Sequence, residues 1–199
     1  MSLKELRAEQ SQATVAHLVK VATKLFVARG YAKVTIGQLA KAAKVTSGAI
    51  YHHFEDKQAL FAVVAEQITK DLVSAAAQRV GQERDPWKKL CAGIDAVLES
   101  SGTPNVKLAF LEAPVVLGLD RWRQLEQRHT AVLLTSVLEG LVKTGELTVE
   151  RAQLLGNTLR GLMLEAAMTV AEAKHPARAR RQLSAMIQTM VTSLRQTAP

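Results

Sequence analysis

Residues 34–54 read VTIGQLAKAAKVTSGAIYHHF, and this stretch decides the fold. Thr35 is placed to cap a short helix whose apolar face is Ile36, Leu39, Ala40 and Ala43. Lys44-Val45 makes a tight turn, and Thr46 caps another short helix running through Ile50 to about His53. Two short helices joined by a tight turn have helix-turn-helix dimensions. Each is too short to be stable alone, so both must pack on a preceding helix. Ile36, Leu39, Ala40, Val45 and Ile50 supply that packing. What stays outside is small or polar: Thr46, Ser47, Gly48, Ala49 and His52. A helix start without bulky side chains can approach a nucleic-acid duplex closely. Its unpaired N–H groups and positive dipole end favour phosphate, and its hydroxyls and methyl can meet base edges.

Working outward, the period of apolar residues stays helical. Val15, Leu18, Val19, Ala22, Leu25 and Phe26 form one face of a first helix, and Gly30 stands where a left-handed stop belongs. Asp56 caps a long fourth helix from Lys57 to about Val80. GQERDP (81–86) is a linker signal, and Pro86 suits the first turn of a fifth helix ending near Ser100. A sixth runs from Asn105 to about Glu112, where Pro114 ends or kinks it. A seventh spans Asp120 to Lys143, an eighth follows the Thr148 cap to about Ala173, and a ninth opens at His175-Pro176. No segment alternates with period two for long enough to make a strand. The expectation is an all-α chain of about nine helices. Residues 1–56 form a three-helix domain of helix-turn-helix type and residues 57–199 a larger helical domain, with helix 57–80 linking the two.

Charge placement supports a polyanion partner. The net charge is +8. No acid occurs between Gln10 and Phe54, where Lys20, Lys24, Arg29, Lys33, Lys41 and Lys44 stand. A second acid-free stretch, from Lys174 to the end, carries Lys174, Arg178, Arg180, Arg181 and Arg195. A basic end on a near-neutral body fits nucleic acid, although a solvated basic face has the same charge. The 199 residues, 48% of them hydrophobic, exclude wholesale disorder. The single cysteine, Cys91, excludes a disulfide framework and a multi-cysteine zinc site. No apolar run approaches the roughly 18 residues needed to span a bilayer. The opening MSLKELRAEQSQ lacks the apolar core of a signal peptide, so a cytoplasmic location is expected.

The stretch LVKVATKLFVARGYAKVTIGQLAKAAKVTSGAIYHHFEDKQALFAVV resembles the N-terminal domain of TetR-family transcriptional regulators. The matching residues include Ala22, Phe26, Gly30-Tyr31, Thr35, Leu39-Ala40, Ala43, Val45-Thr46, Gly48, Tyr51, Phe54, Lys57 and Leu60. LEAPVVLGLDRWRQLE and the later LTVE turn are similar to a subgroup of drug- or metabolite-type regulators. The resemblance implies a dimeric repressor released from its operator by a small-molecule effector. It implies that Thr46, Ser47, Gly48 and Ala49 face the major groove, with Tyr51 and His52 along the same helix. Thr35 and Lys57 would clamp the flanking backbone. The family often has glycine where this chain has Lys44; a left-handed residue there costs lysine about 1 kcal/mol, and a phosphate contact would offset it. His53 packs or caps near Phe54 on this reading.

The rest of the chain is read more coarsely. The eighth helix is apolar over more than half its girth, with Leu154, Leu155, Leu159, Leu162, Met163, Ala166, Ala167 and Val170. One neighbour cannot cover that, so a homodimer is expected through helices near 149–173 and 176–196. Twofold symmetry then predicts a near-palindromic double-stranded operator. An effector cavity would lie among helices four to eight. Its candidate residues are Trp87, Cys91, Phe110, Trp122, Leu125, His129, Met163 and Glu165, with Ile94, Leu98 and Leu111 beside them. Each has a plainer reading: core packing for the apolar residues, a satisfied core position for His129, solvent exposure for Glu165. No cofactor, metal or membrane partner is expected. The chain lacks GxGxxG, GxxxxGKS, HExxH and GxSxG, so a small helical enzyme is the weaker alternative. A DNA-binding regulator gated by a protein partner, or ungated, is the other.

Overall fold

The computed structural model describes residues 3–197, and among them every regular element is helical. The helices are α1 (Leu3–Arg29), α2 (Ile36–Ala43), α3 (Ser47–His53), α4 (Lys57–Gln82) and α5 (Pro86–Ser100). They continue with α6 (Pro104–Lys107), α7 (Ala113–Leu117), α8 (Leu119–Lys143), α9 (Val149–Glu172) and α10 (Pro176–Ser193). A π-turn, Leu108–Glu112, joins α6 to α7 without a break. Counting that bent run once gives the nine helices the sequence predicts.

The caps sit where the sequence puts them. Thr35, Thr46, Asp56 and Thr148 each accept a backbone N–H three residues on, and Asp85, within the expected linker, caps α5 in the same way. Around Thr35 the box is complete, because the Gln38 side chain accepts the Thr35 N–H in return. Gly30, at φ +77°, ends α1 with its N–H on the Phe26 carbonyl. Lys44 does adopt the left-handed conformation, at φ 57° and ψ 40°.

Of the two expectations for Pro114, an end or a kink, the structure shows a break in register and not an end, since the helix runs on to Leu117. The reason is the π-turn. Ala113 donates its N–H to the Leu108 carbonyl, one residue further back than in an α-helix. Pro114, next in that register, has no N–H for the Ala109 carbonyl. The buried Trp122 indole N–H supplies it from α8, at 2.8 Å. Trp122→Phe should therefore leave a buried carbonyl without its donor and cost about 1–3 kcal/mol, read as a lower midpoint in urea. An unchanged midpoint would remove the indole from this role.

Two apolar cores hold the molecule. The first joins α1 (Leu18, Ala22, Phe26), α2 (Leu39), α3 (Ile50) and the first half of α4 (Leu60, Phe61, Val64). It continues without interruption into the π-turn and the start of α8 through Leu108, Phe110 and Trp122. The second joins the end of α4 (Val80) to α5, α8, α9 and α10 through Trp87, Leu141, Leu159 and Ile187. Helix α4 is thus a member of both, and apolar contact crosses the expected 56/57 boundary.

Candidate nucleic-acid interface and internal cavity

At the tip of the first core, α3 buries Ile50 completely and turns its other side outward. Thr46, Ser47 and Gly48 are exposed, Ala49 is half-buried, and Tyr51 is 55% exposed. His52 is exposed with its ring 5.0 Å from that of half-buried His53. The hydroxyl oxygens of Thr35 and Thr46 are taken by backbone N–H groups, so each keeps its O–H to donate outward. Lys44 is exposed in the turn beside them. All six bases of the acid-free stretch, Lys20, Lys24, Arg29, Lys33, Lys41 and Lys44, are exposed too. The tip is therefore small-featured at α3, cationic around it and without a carboxylate from residue 11 to residue 54.

Lys57 is placed differently from the expected backbone clamp. Its ammonium donates to the carbonyls of Tyr31 and Val34, at 3.0 and 2.9 Å, and lies 4.0 Å from the centre of the Tyr31 ring. Two of its three donors are spent inside the protein. A cation at a helix N-terminus opposes the dipole, and these carbonyls are what offset that. Tyr31 itself stacks edge-on against Phe61. Burial pushes its phenol above the ordinary range, and the Asp56 carboxylate adds to the effect.

A cavity of about 130 Å³ lies between α4, α5, the π-turn, α8 and α9. Its wall is almost wholly apolar: Leu72, Ile94, Val106, Phe110, Leu133 and Met163 are typical. Of the candidate residues, Phe110 and Met163 line it, with Ile94. Trp87 is buried in the second core with its indole N–H on Glu146. Trp122 and Leu125 belong to the first core, Trp122 standing behind Phe110 with ring centres 6.1 Å apart. Leu98 is fully buried and Leu111 half-buried, and neither reaches the cavity. Cys91 is half-buried off the wall. Burial, then Asp95 and Asp85, push its thiol up, which keeps it protonated and unreactive. Glu165 is exposed on α9.

Residues 18–64 match the family of bacterial regulatory proteins named for tetR, and residues 87–194 match a tetracyclin repressor-like C-terminal domain. The chain belongs to the TetR family. It is a DNA-binding transcriptional regulator, and the members it resembles are regulators, not enzymes. TtgR of Pseudomonas putida is 35% identical over 153 residues, 71% of this chain and 72% of that protein. AcrR of Shigella flexneri is 45% identical over 105 residues, 52% of this chain and 49% of its own length. A TetR-family regulator from Pectobacterium atrosepticum superposes with a TM-score of 0.80 at 28% identity, covering 94% of this chain and 96% of that one. No helix among the described residues of this TetR-family chain is long and apolar enough to cross a membrane.

Two contacts that no sequence pattern reveals tie the TetR-family DNA-binding tip and the adjoining first turn of α4 to the rest of the chain. Glu112, in the π-turn, accepts the Tyr31 N–H at 3.0 Å across a separation of 81 residues. Gln58, in the first turn of α4, donates to the Val116 carbonyl at 2.5 Å. A third contact fixes His129, which lies off the cavity and pairs with Glu66 of α4 at 2.8 Å. Burial works against the Glu66 charge, but its bonds to His129 and Lys70 outweigh it and hold its carboxyl below the usual glutamate range. A lowered folded value means stability that is present above the unfolded value, near pH 4, and lost as pH falls through the folded one. Glu66→Gln should thus melt lower than the parent at neutral pH, with the gap closing toward pH 3. A gap independent of pH would show that the charge contributes nothing.

Proposed function

We propose that this chain is a homodimeric repressor that leaves a near-palindromic operator when a small molecule fills the cavity. Residues 1–56 act as the reader and residues 57–199 as the effector and dimerisation unit, with α4 as the link. Thr46, Ser47, Gly48 and Ala49 meet base edges; Tyr51, His52, Lys44 and Thr35 meet the flanking strands. Lys57 works from behind, holding the loop that presents α2. The dimer forms through α9 and α10, where Leu154, Met186 and Met190 are each more than half exposed in the single chain and would be covered. Two readers related by a twofold axis then address successive major grooves about 34 Å apart.

One observation carries the effector-gated reading over a partner-gated or ungated regulator. The π-turn puts Phe110 on the cavity wall and Glu112 on the reader's Tyr31 N–H within a single turn of backbone. A molecule that displaces Phe110 strains the Glu112 bond and the loop Lys57 holds, and so changes the spacing of the two readers. A coupling of about 1–3 kcal/mol shifts DNA affinity by about 5- to 150-fold.

The test is selection of bound duplexes from a random library with the purified protein, followed by operator titration against a metabolite panel. The expected result is a motif with two inverted half-sites and at least one compound that both raises the melting temperature and weakens the operator complex. Failure to enrich any motif would overturn the reader assignment. A motif that no stabilising compound affects would favour the partner-gated reading. As the cytoplasm holds bacterial DNA, operator binding also sets the location.

A further inference from the structure

We propose that the effector of this cavity is a small apolar carboxylate, about the size of one ring or six carbons, whose anionic head is held by Arg160. The inference rests on the effector-gated reading above and adds the chemical class of the ligand and the residue that selects it.

The first argument is charge. Three ionisable side chains line the mostly apolar cavity: Lys89 of α5, Glu126 of α8 and Arg160 of α9. Their sum is one positive charge. Among the described residues none of the three forms an ion pair. Arg160 is half-buried and spends one donor on Asn157 Oδ1, at 2.6 Å. Glu126 already accepts the Thr130 hydroxyl, at 2.5 Å. The two unpaired signs are not equivalent. Two cations stand against one carboxylate, and Glu126 already spends an oxygen on Thr130 whereas Arg160 keeps donors beyond its bond to Asn157. Of the two cations, Arg160 has the planar fork that matches a carboxylate.

The second argument is access. A surface groove of about 550 Å³ runs between α8 and α9. Leu134 and Arg160 line both the groove and the internal cavity. One turn away the helices close up: a Cβ on Gly156 would stand 2.9 Å from Leu138 Cδ1. The groove and the cavity thus adjoin at Leu134 and Arg160. A ligand entering there leaves its charged end at the guanidinium, next to water, and carries only its apolar body inward, so no charge is dragged through the wall. The size follows from the volume. A cavity of about 150 Å³ lined by aliphatic side chains holds benzene, and this one is close to that.

The experiment titrates the full-length protein with benzoate and hexanoate, and in parallel with benzyl alcohol and benzylamine, by calorimetry and thermal shift. The carboxylates should bind once per chain and raise the melting temperature, at least tenfold more tightly than the alcohol or the amine. Arg160→Met should weaken the carboxylates at least tenfold while leaving the alcohol unchanged. Arg160→Lys should recover part of the loss, and Glu126→Gln should not weaken them. The Arg160 variants should melt like the parent without ligand, since the side chain reaches solvent. Carboxylate binding indifferent to Arg160→Met overturns the proposal, as does tighter binding of benzylamine that Glu126→Gln abolishes. In those two cases the cavity still binds a ligand, and the effector-gated reading stands. Failure of all four probes to bind overturns the proposal and counts against the effector reading as well.

Discussion

Gly48→Asp should abolish operator binding while leaving the protein folded and slightly more stable. The second residue of α3 is exposed, and the nearest atom to an added Cβ is Thr46 Oγ1 at 3.8 Å, an ordinary contact. Removing a glycine from a helix and placing a carboxylate in its first turn both favour the free chain, by about 1 kcal/mol together. Against DNA the sign reverses. The new charge stands where α3 would approach phosphates and base edges, at a place with no other carboxylate. Each opposed contact costs about 1–3 kcal/mol, twice per dimer, so the loss should be on the order of 100-fold or more at moderate salt. Fluorescence anisotropy with the selected operator, beside a melting curve, separates the two effects. Binding within a few-fold of the parent would mean that α3 does not lead the approach.

That prediction was available from the sequence because everything it needs is local. Thr35, Thr46 and Asp56 each declare a helix start through a bond to a backbone N–H three residues on, and all three make it. The apolar positions Leu39, Ala40, Ala43 and Ile50 are buried as their period requires. The left-handed Lys44 follows from the tightness of the turn. What the sequence hides is non-local. Periodicity says that Trp87, Trp122 and Leu125 are buried but not against what, and they are in the two cores, not on the cavity wall. The π-turn shifts the register of bonding without disturbing the apolar period, so the sequence leaves open whether Pro114 stops the helix or only kinks it. His129 shares an apolar stripe with Trp122, and its partner Glu66 is 63 residues away. Nothing in the sequence singles out Arg160 until α8 is laid beside it.

Lys57 shows the same limit and yields the other large effect. From sequence, a base at the first position of α4 needs a compensating anion, and a DNA phosphate is the available one. In the structure the compensation is internal: two carbonyls, 26 and 23 residues back, and the Tyr31 ring. The two roles predict opposite results for Lys57→Met, which keeps the stem and removes the charge. If the ammonium holds the loop, two charge-assisted bonds vanish and partly buried carbonyls lose their donor. The cost should be about 2–4 kcal/mol after allowing for partial exposure, a fall of roughly 5–15 °C in melting temperature. Operator affinity would then drop because α2 is no longer held in place. The slope of log affinity against log salt would stay the same, since no phosphate contact is removed. If the ammonium instead grips the strand, the melting temperature stays put and the slope falls by about one per lost contact. Measuring both quantities on one variant decides between a strut inside the reader and a clamp outside it. The geometry of the Tyr31 and Val34 carbonyls favours the strut.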